Sequence, residues 1–77
     1  MKELHVRECP KRKEKSIVAI ACGFHSEIIA VVNDERYNAK SIMNSPIVDS
    51  AKCVDFIITG EDEEMAEMAI KKQYGLD

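Results

Sequence analysis

The stretch EIIAVVNDERYNA, residues 27–39, decides how this chain folds. Two runs meet at Asn33-Asp34, and both residues tolerate left-handed backbone at low cost. The stretch reads as a hairpin, with strands over about Glu27–Val32 and Glu35–Ala39. Working outward, KELHVRE at residues 2–8 alternates, with Leu4 and Val6 on one face and His5 and Arg7 on the other. Cys9-Pro10 breaks that strand. VDFIIT at residues 54–59 is a further strand, ended by Gly60.

The period changes elsewhere. From Lys11 onward Ile17, Ile20, Ala21 and Phe24 fall on one helical stripe, with Gly23 as the expected stop and Phe24 packing back on the last turn. Ser41 precedes a short helix as its N-cap, which predicts a loss of about 1 kcal/mol for Ser41→Ala. A final helix spans about Asp62 to Gln73. Its first turn is acidic and Lys71 and Lys72 sit in its last, both matched to the helix dipole. Ala66, Ala69 and Ile70 form its inner stripe, flanked by Met65 and Met68. The strands are too few and too short for a parallel sheet covered on both faces. An α+β fold, with an antiparallel sheet and helices on one face, is the economical arrangement.

The chain has 77 residues and a net charge of −3, which gives one domain, 1–77, and argues against nucleic acid as the main partner. No apolar run approaches the roughly 20 residues that span a bilayer, and MKELHVREC has no signal-peptide core. Cys9, Cys22 and Cys53 lack CxxC spacing and nearby histidine pairs, so neither a disulfide framework nor a metal site is expected. These features predict a cytoplasmic protein with reduced thiols and no cofactor. Charge is uneven, with basic KRKEK at 11–15 and acidic GEDEE at 60–64.

Several strings, at fixed spacing, resemble the HPr family of the bacterial sugar phosphotransferase system. They are GFHSEI at 23–28, NAKSIM at 38–43, AK at 51–52 and GEDEE at 60–64. The resemblance implies an open-faced β-sandwich, a four-stranded antiparallel sheet with three helices on one side. It also implies a histidine that accepts phosphate at the amino end of the first helix, within a pattern like L-H-x-R-P. Counting back from Gly23 without a gap, that position falls on Pro10. The arginine position falls on Arg12, and the proline position on Lys13. Proline cannot be phosphorylated, so the resemblance is to a member without the phosphocarrier reaction, similar to the catabolite-repression HPr, and not an enzyme. The alternative is an active carrier relaying phosphate from phosphoenolpyruvate to sugar permeases. It would use His5, because LHVR at 4–7 also matches L-H-x-R. That choice inserts five residues before the helix and removes Leu4 and Val6 from the sheet.

Ser41 matches the serine that a dedicated kinase phosphorylates in HPr proteins of Gram-positive bacteria. Phosphate there would place nearly two negative charges at the positive end of a helix. A plain N-cap reading explains the same serine. Ile42 and Met43 would give a protein partner an apolar anchor beside it. Asn44-Ser45-Pro46 departs from the family, which has glycine and apolar residues there. Lys11, Arg12, Lys13 and Lys15 crowd the expected start of the first helix and suit an acidic partner or a bound anion. Implied partners are phosphotransferase-system enzymes, a serine kinase or a transcriptional regulator. Ile28, Ala30, Val32, Phe56 and Ile58 are expected to face the helices. That leaves Ile29, Val31 and Ile57 on the open side, where they mark a contact surface or a homodimer. His25 is expected in a surface loop.

Overall fold

The structure, a computed structural model, describes residues 1–7 and 16–75. Its elements are β1 (Lys2–Arg7), α1 (Ile17–Ala21), β2 (Glu27–Val32), β3 (Glu35–Asn38), a 3-10 turn (Ile42–Asn44), α2 (Ser45–Ser50), β4 (Cys53–Thr59) and α3 (Glu63–Tyr74). The sheet order is β1-β4-β2-β3, and every pairing is antiparallel. This is the expected α+β arrangement of four antiparallel strands and three helices.

Alternation places the core. Leu4 and Val6, Ile28, Ala30 and Val32, and Val54, Phe56 and Ile58 are buried on one face of the sheet. Ile17 and Ala21 of α1, Val48 of α2, and Ala66, Ile70 and Tyr74 of α3 close over them. The Phe56 and Tyr74 rings meet at 5.8 Å between centroids, within the range of a favourable tilted aromatic pair. The hairpin turns where expected, with Asn33 and Asp34 at φ 51° and 67°. Short polar side chains are the non-glycine residues best suited to that backbone.

Several expectations are corrected. Helix α1 begins at Ile17, after an extended Ser16 whose hydroxyl accepts the Val18 amide at 3.3 Å. Its first turn therefore carries no basic residue. Lys11, Arg12, Lys13 and Lys15 precede its cap in sequence and, with Cys9 and Pro10, lie outside the described residues. Gly23 does follow α1, but the left-handed glycines are Gly60 and Gly75. Tightened backbone bonds from Gly23 to Ile20 and from Phe24 to Ala21 end α1 instead. The short helix after Ser41 is two pieces, because Pro46 falls in the first turn of α2, where a missing amide hydrogen is harmless. Helix α3 runs one residue past Gln73, and that residue, Tyr74, is fully buried; Ala69 is only half-buried. Gly75 caps the helix with φ 70°, its amide reaching the Lys71 and Lys72 carbonyls.

One junction holds the end of β4 against the start of β2. Asp62 Oδ2 accepts the His25 amide at 2.8 Å, and Oδ1 accepts the Ser26 amide at 2.9 Å together with the Ser26 hydroxyl. A Cβ on Gly60 would lie 2.5 Å from Ser26 Oγ, so only glycine fits there. The Ser26 hydroxyl first, then the His25 amide, hold the Asp62 carboxyl down at about 2, below its ordinary 3.8. A depressed carboxyl contributes stability that is complete above its unfolded value and lost as pH falls through its folded one. Chemical denaturation as a function of pH is therefore expected to show wild-type stability declining from 3.8 towards about 2 more steeply than that of Asp62→Asn. Parallel declines would remove Asp62 from this role.

Candidate functional site

Asn38 ends β3 and shapes the segment that follows. Its Oδ1 accepts the Lys40 amide at 2.9 Å, while its carbonyl accepts the Ser41 amide at 3.1 Å and Asn44 Nδ2 at 3.2 Å. An asparagine that bonds the backbone two residues on is a preformed turn. The Lys40 ammonium donates to the Phe24 carbonyl at 2.7 Å and ties this turn to the end of α1. The chain then enters the 3-10 turn, where Ile42 is 77% and Met43 85% exposed, beside Ile47 of α2 at 41%. Large apolar side chains this open lie outside the core.

Ser41 is half-buried at the N-cap position of the 3-10 turn, with φ −84° and ψ 121°, but its side chain makes no capping bond. The turn closes through the backbone, Asn44 amide to Ser41 carbonyl at 3.0 Å. The capping role assigned to its hydroxyl is thus corrected.

Side-chain capping is found at α1. Asp49, reaching across from α2, accepts the Ile17 amide on Oδ1 at 2.9 Å. On Oδ2 it accepts the Ser16 and Ser45 hydroxyls, each at 2.7 Å. The two hydroxyl oxygens lie 2.6 Å apart. Ser16 in turn takes the Val18 amide, so the first two amides of α1 are bonded to side chains. A carboxylate at that end also matches the helix dipole.

His5 lies on the other side of the sheet. Leu4 and Val6 turn towards the helices, so His5 and Arg7 turn away from them. His5 Nδ1 donates to Asp55 Oδ1 at 2.8 Å, and Arg7 Nη1 donates to the same oxygen at 2.7 Å. Arg7 chiefly, with His5 second, holds the Asp55 carboxyl below the usual carboxylate range, and Asp55 raises Arg7. His25 is exposed, its amide held by Asp62. Pro10, Arg12, Lys11 and Lys13 lie outside the described residues. Among the described residues, no three His, Cys, Asp or Glu side chains group to hold a metal ion, and no helix is long and apolar enough to cross a membrane.

Asp49, Ser16, Ser45 and Asp55 were not legible as a site. Ser16, directly before the apolar run IVAIA, had the local signature of a cap. Asp49 and Asp55 had none, since their partners lie 32 to 50 residues away apart from Ser45.

No protein-family model and no curated protein sequence matches the chain. Solved structures do. HPr-C-His from Thermoanaerobacter tengcongensis is similar at 27% identity and a TM-score of 0.75, over 100% of this chain and 99% of that one. The histidine-containing phosphocarrier protein of Mycoplasma is similar at 23% identity and a TM-score of 0.74, over 94% of this chain and 90% of that one. The chain has the HPr-family fold.

If the caps are as described, Asp49→Ala costs about 2 kcal/mol and Ser41→Ala less than about 0.5 kcal/mol in urea denaturation. The reverse order would return the cap to Ser41.

Proposed function

We propose that this chain is an HPr-like regulatory or adaptor protein of the cytoplasm, not an enzyme, which docks other proteins and does not relay phosphate through a histidine. One observation carries the reading. The amino end of α1, at Ser16 and Ile17, is filled by the chain's own Asp49 carboxylate and two serine hydroxyls, and a histidine upstream would have to bring its phosphate to this end to use the helix amides. A phosphoryl group brought there would meet a fixed negative charge and amides already bonded. Pro10 at the acceptor's place in the sequence supports the same conclusion. His5 does not substitute, since it faces away from the helices and its Nδ1 is tied to Asp55.

The working surface in this reading is Ile42 and Met43 beside Ser41. The Ser41 hydroxyl is not spent on a cap, which leaves it available to a serine kinase. Phosphate there would set a doubly charged group against two exposed apolar anchors, and so create or block a docking site. Partners of this kind are phosphotransferase-system enzymes, the kinase itself or a transcriptional regulator acting in catabolite repression. Lys11, Lys13 and Arg12 would add positive charge for an acidic partner or an anion.

Incubation with phosphoenolpyruvate and the upstream phosphotransferase is expected to leave the chain unlabelled. Incubation with the serine kinase and ATP is expected to give acid-stable phosphate that Ser41→Ala abolishes. Acid-labile phosphate that disappears in His5→Ala would overturn the proposal and establish a carrier.

A further inference from the structure

Helix α3 turns to solvent a face that is its own complement. Its exposed positions are Glu64, Met65, Met68 and Lys72, and the helical period sets half-buried Glu67 and Lys71 on the same flank as Glu64. Met65 and Met68 are each 66% exposed. The charges around them are sorted by end, with Glu64 and Glu67 before Met68 and Lys71 and Lys72 after it. Glu67, Lys71 and Lys72 form no ion pair among the described residues. Glu64 Oε1 stands 3.7 Å from the Lys2 ammonium, which leaves its other oxygen open. The remaining acids of that end are exposed Glu61, Asp62, which holds Ser26 and His25, and Glu63, which holds the chain's amino terminus at 2.9 Å.

We propose that this face pairs with the same face of a second copy, as two antiparallel α3 helices related by a two-fold axis at Met68. The axis crosses both helices at right angles and passes between the two Met68 side chains. Residues on one flank, at matching distances before and after Met68, then meet. Lys71 of one copy comes between Glu64 and Glu67 of the other, the stem of Lys72 lies over Met65, and Met68 meets itself. Each contact occurs twice, as an isologous interface requires. Like charges stay apart, since the two copies of Lys72 are separated by eight residues of helical rise, about 12 Å. A parallel pair would set Glu64 on Glu64 and Lys72 on Lys72, so the charges select the antiparallel one, which also opposes the helix dipoles. Met65, Met68 and Lys72 follow the three-and-four spacing along which helices pack at a shallow angle, and methionine adapts to an irregular seam. One helix face is a small contact, so the association is weak and concentration-dependent. The surface is separate from Ile42, Met43 and Ser41 and from the open side of the sheet, and the inference does not rest on the functional reading above.

Sedimentation equilibrium and disulfide capture test this. At low salt and millimolar concentration the mass is expected to rise above 8.7 kDa, and added salt to reverse the rise. With Cys9, Cys22 and Cys53 replaced by serine, Met68→Cys places a thiol on the axis. Under a mild oxidant it is expected to form a disulfide dimer about tenfold faster than Lys72→Cys, whose thiols stand about 12 Å apart. Lys71→Glu is expected to slow that capture by setting like charges together, and Glu64→Lys in the same chain to recover part of the rate. Far-UV circular dichroism verifies that each variant folds. A monomer at every concentration in low salt would overturn the proposal. So would equal rates for Met68→Cys and Lys72→Cys, or a rate that neither salt nor Lys71→Glu changes.

Discussion

Helix α1 is five residues long, and a helix that short has almost no intrahelical bonds to sustain it. Its amino end has to be closed from outside, and a side chain from another element closes it. Asp49 takes the Ile17 amide and gathers the Ser16 and Ser45 hydroxyls, which fastens α2 to α1 in the same contact. Removing that carboxylate would leave the part-buried Ile17 amide without its partner and the Ser16 and Ser45 hydroxyls with only each other to join α1 to α2. The same carboxylate makes the amino end of α1 a poor seat for any anion.

The two faces of the sheet divide the remaining chemistry. The helical side presents Ile42 and Met43 on a turn braced by Asn38, Lys40 and Asn44, all through backbone-directed bonds that leave the apolar side chains open to solvent. The open side holds Glu3, His5 and Arg7 of β1. Asp55 pairs there with both Arg7 and His5 and joins the edge strand to the middle of the sheet by side chains as well as by the ladder. Exposed ion pairs of this kind add little stability individually. Their effect lies in orienting His5, whose ring is held along the sheet and away from the helices.

What could be read from the sequence was what depends on neighbours along the chain. The Asn33-Asp34 turn, the alternation in β1 and the acidic-to-basic polarity of α3 are local patterns, and the structure has them. The order of elements was read from the same patterns, and the family strings agree with it, though only 27% of residues are shared with the Thermoanaerobacter tengcongensis structure. Capping was read at the wrong serine. Ser41 and Ser16 both precede apolar residues, and local sequence alone favours neither. A carboxylate arriving 33 residues later decides in favour of Ser16. Asp62 shows the same limit. It stands at the N-cap of α3 yet spends its oxygens on His25 and Ser26, because the fold brings β2 there. The exposure of Ile42 and Met43 follows from the bracing bonds rather than from the apolar residues themselves.

The contact between Gly60 and Ser26 keys the two central strands together. Glu27 pairs with Thr59, which brings residue 60 alongside residue 26 with no room for a β-carbon. Slide β4 by one position and either Thr59 or Glu61 would arrive there, each carrying the atom that cannot be accommodated. A slipped sheet would also turn Phe56 and Ile58 towards solvent. The missing side chain thus acts as a gauge for strand alignment, so that a misaligned β2–β4 pair is rejected by collision before burial of the core has to distinguish it.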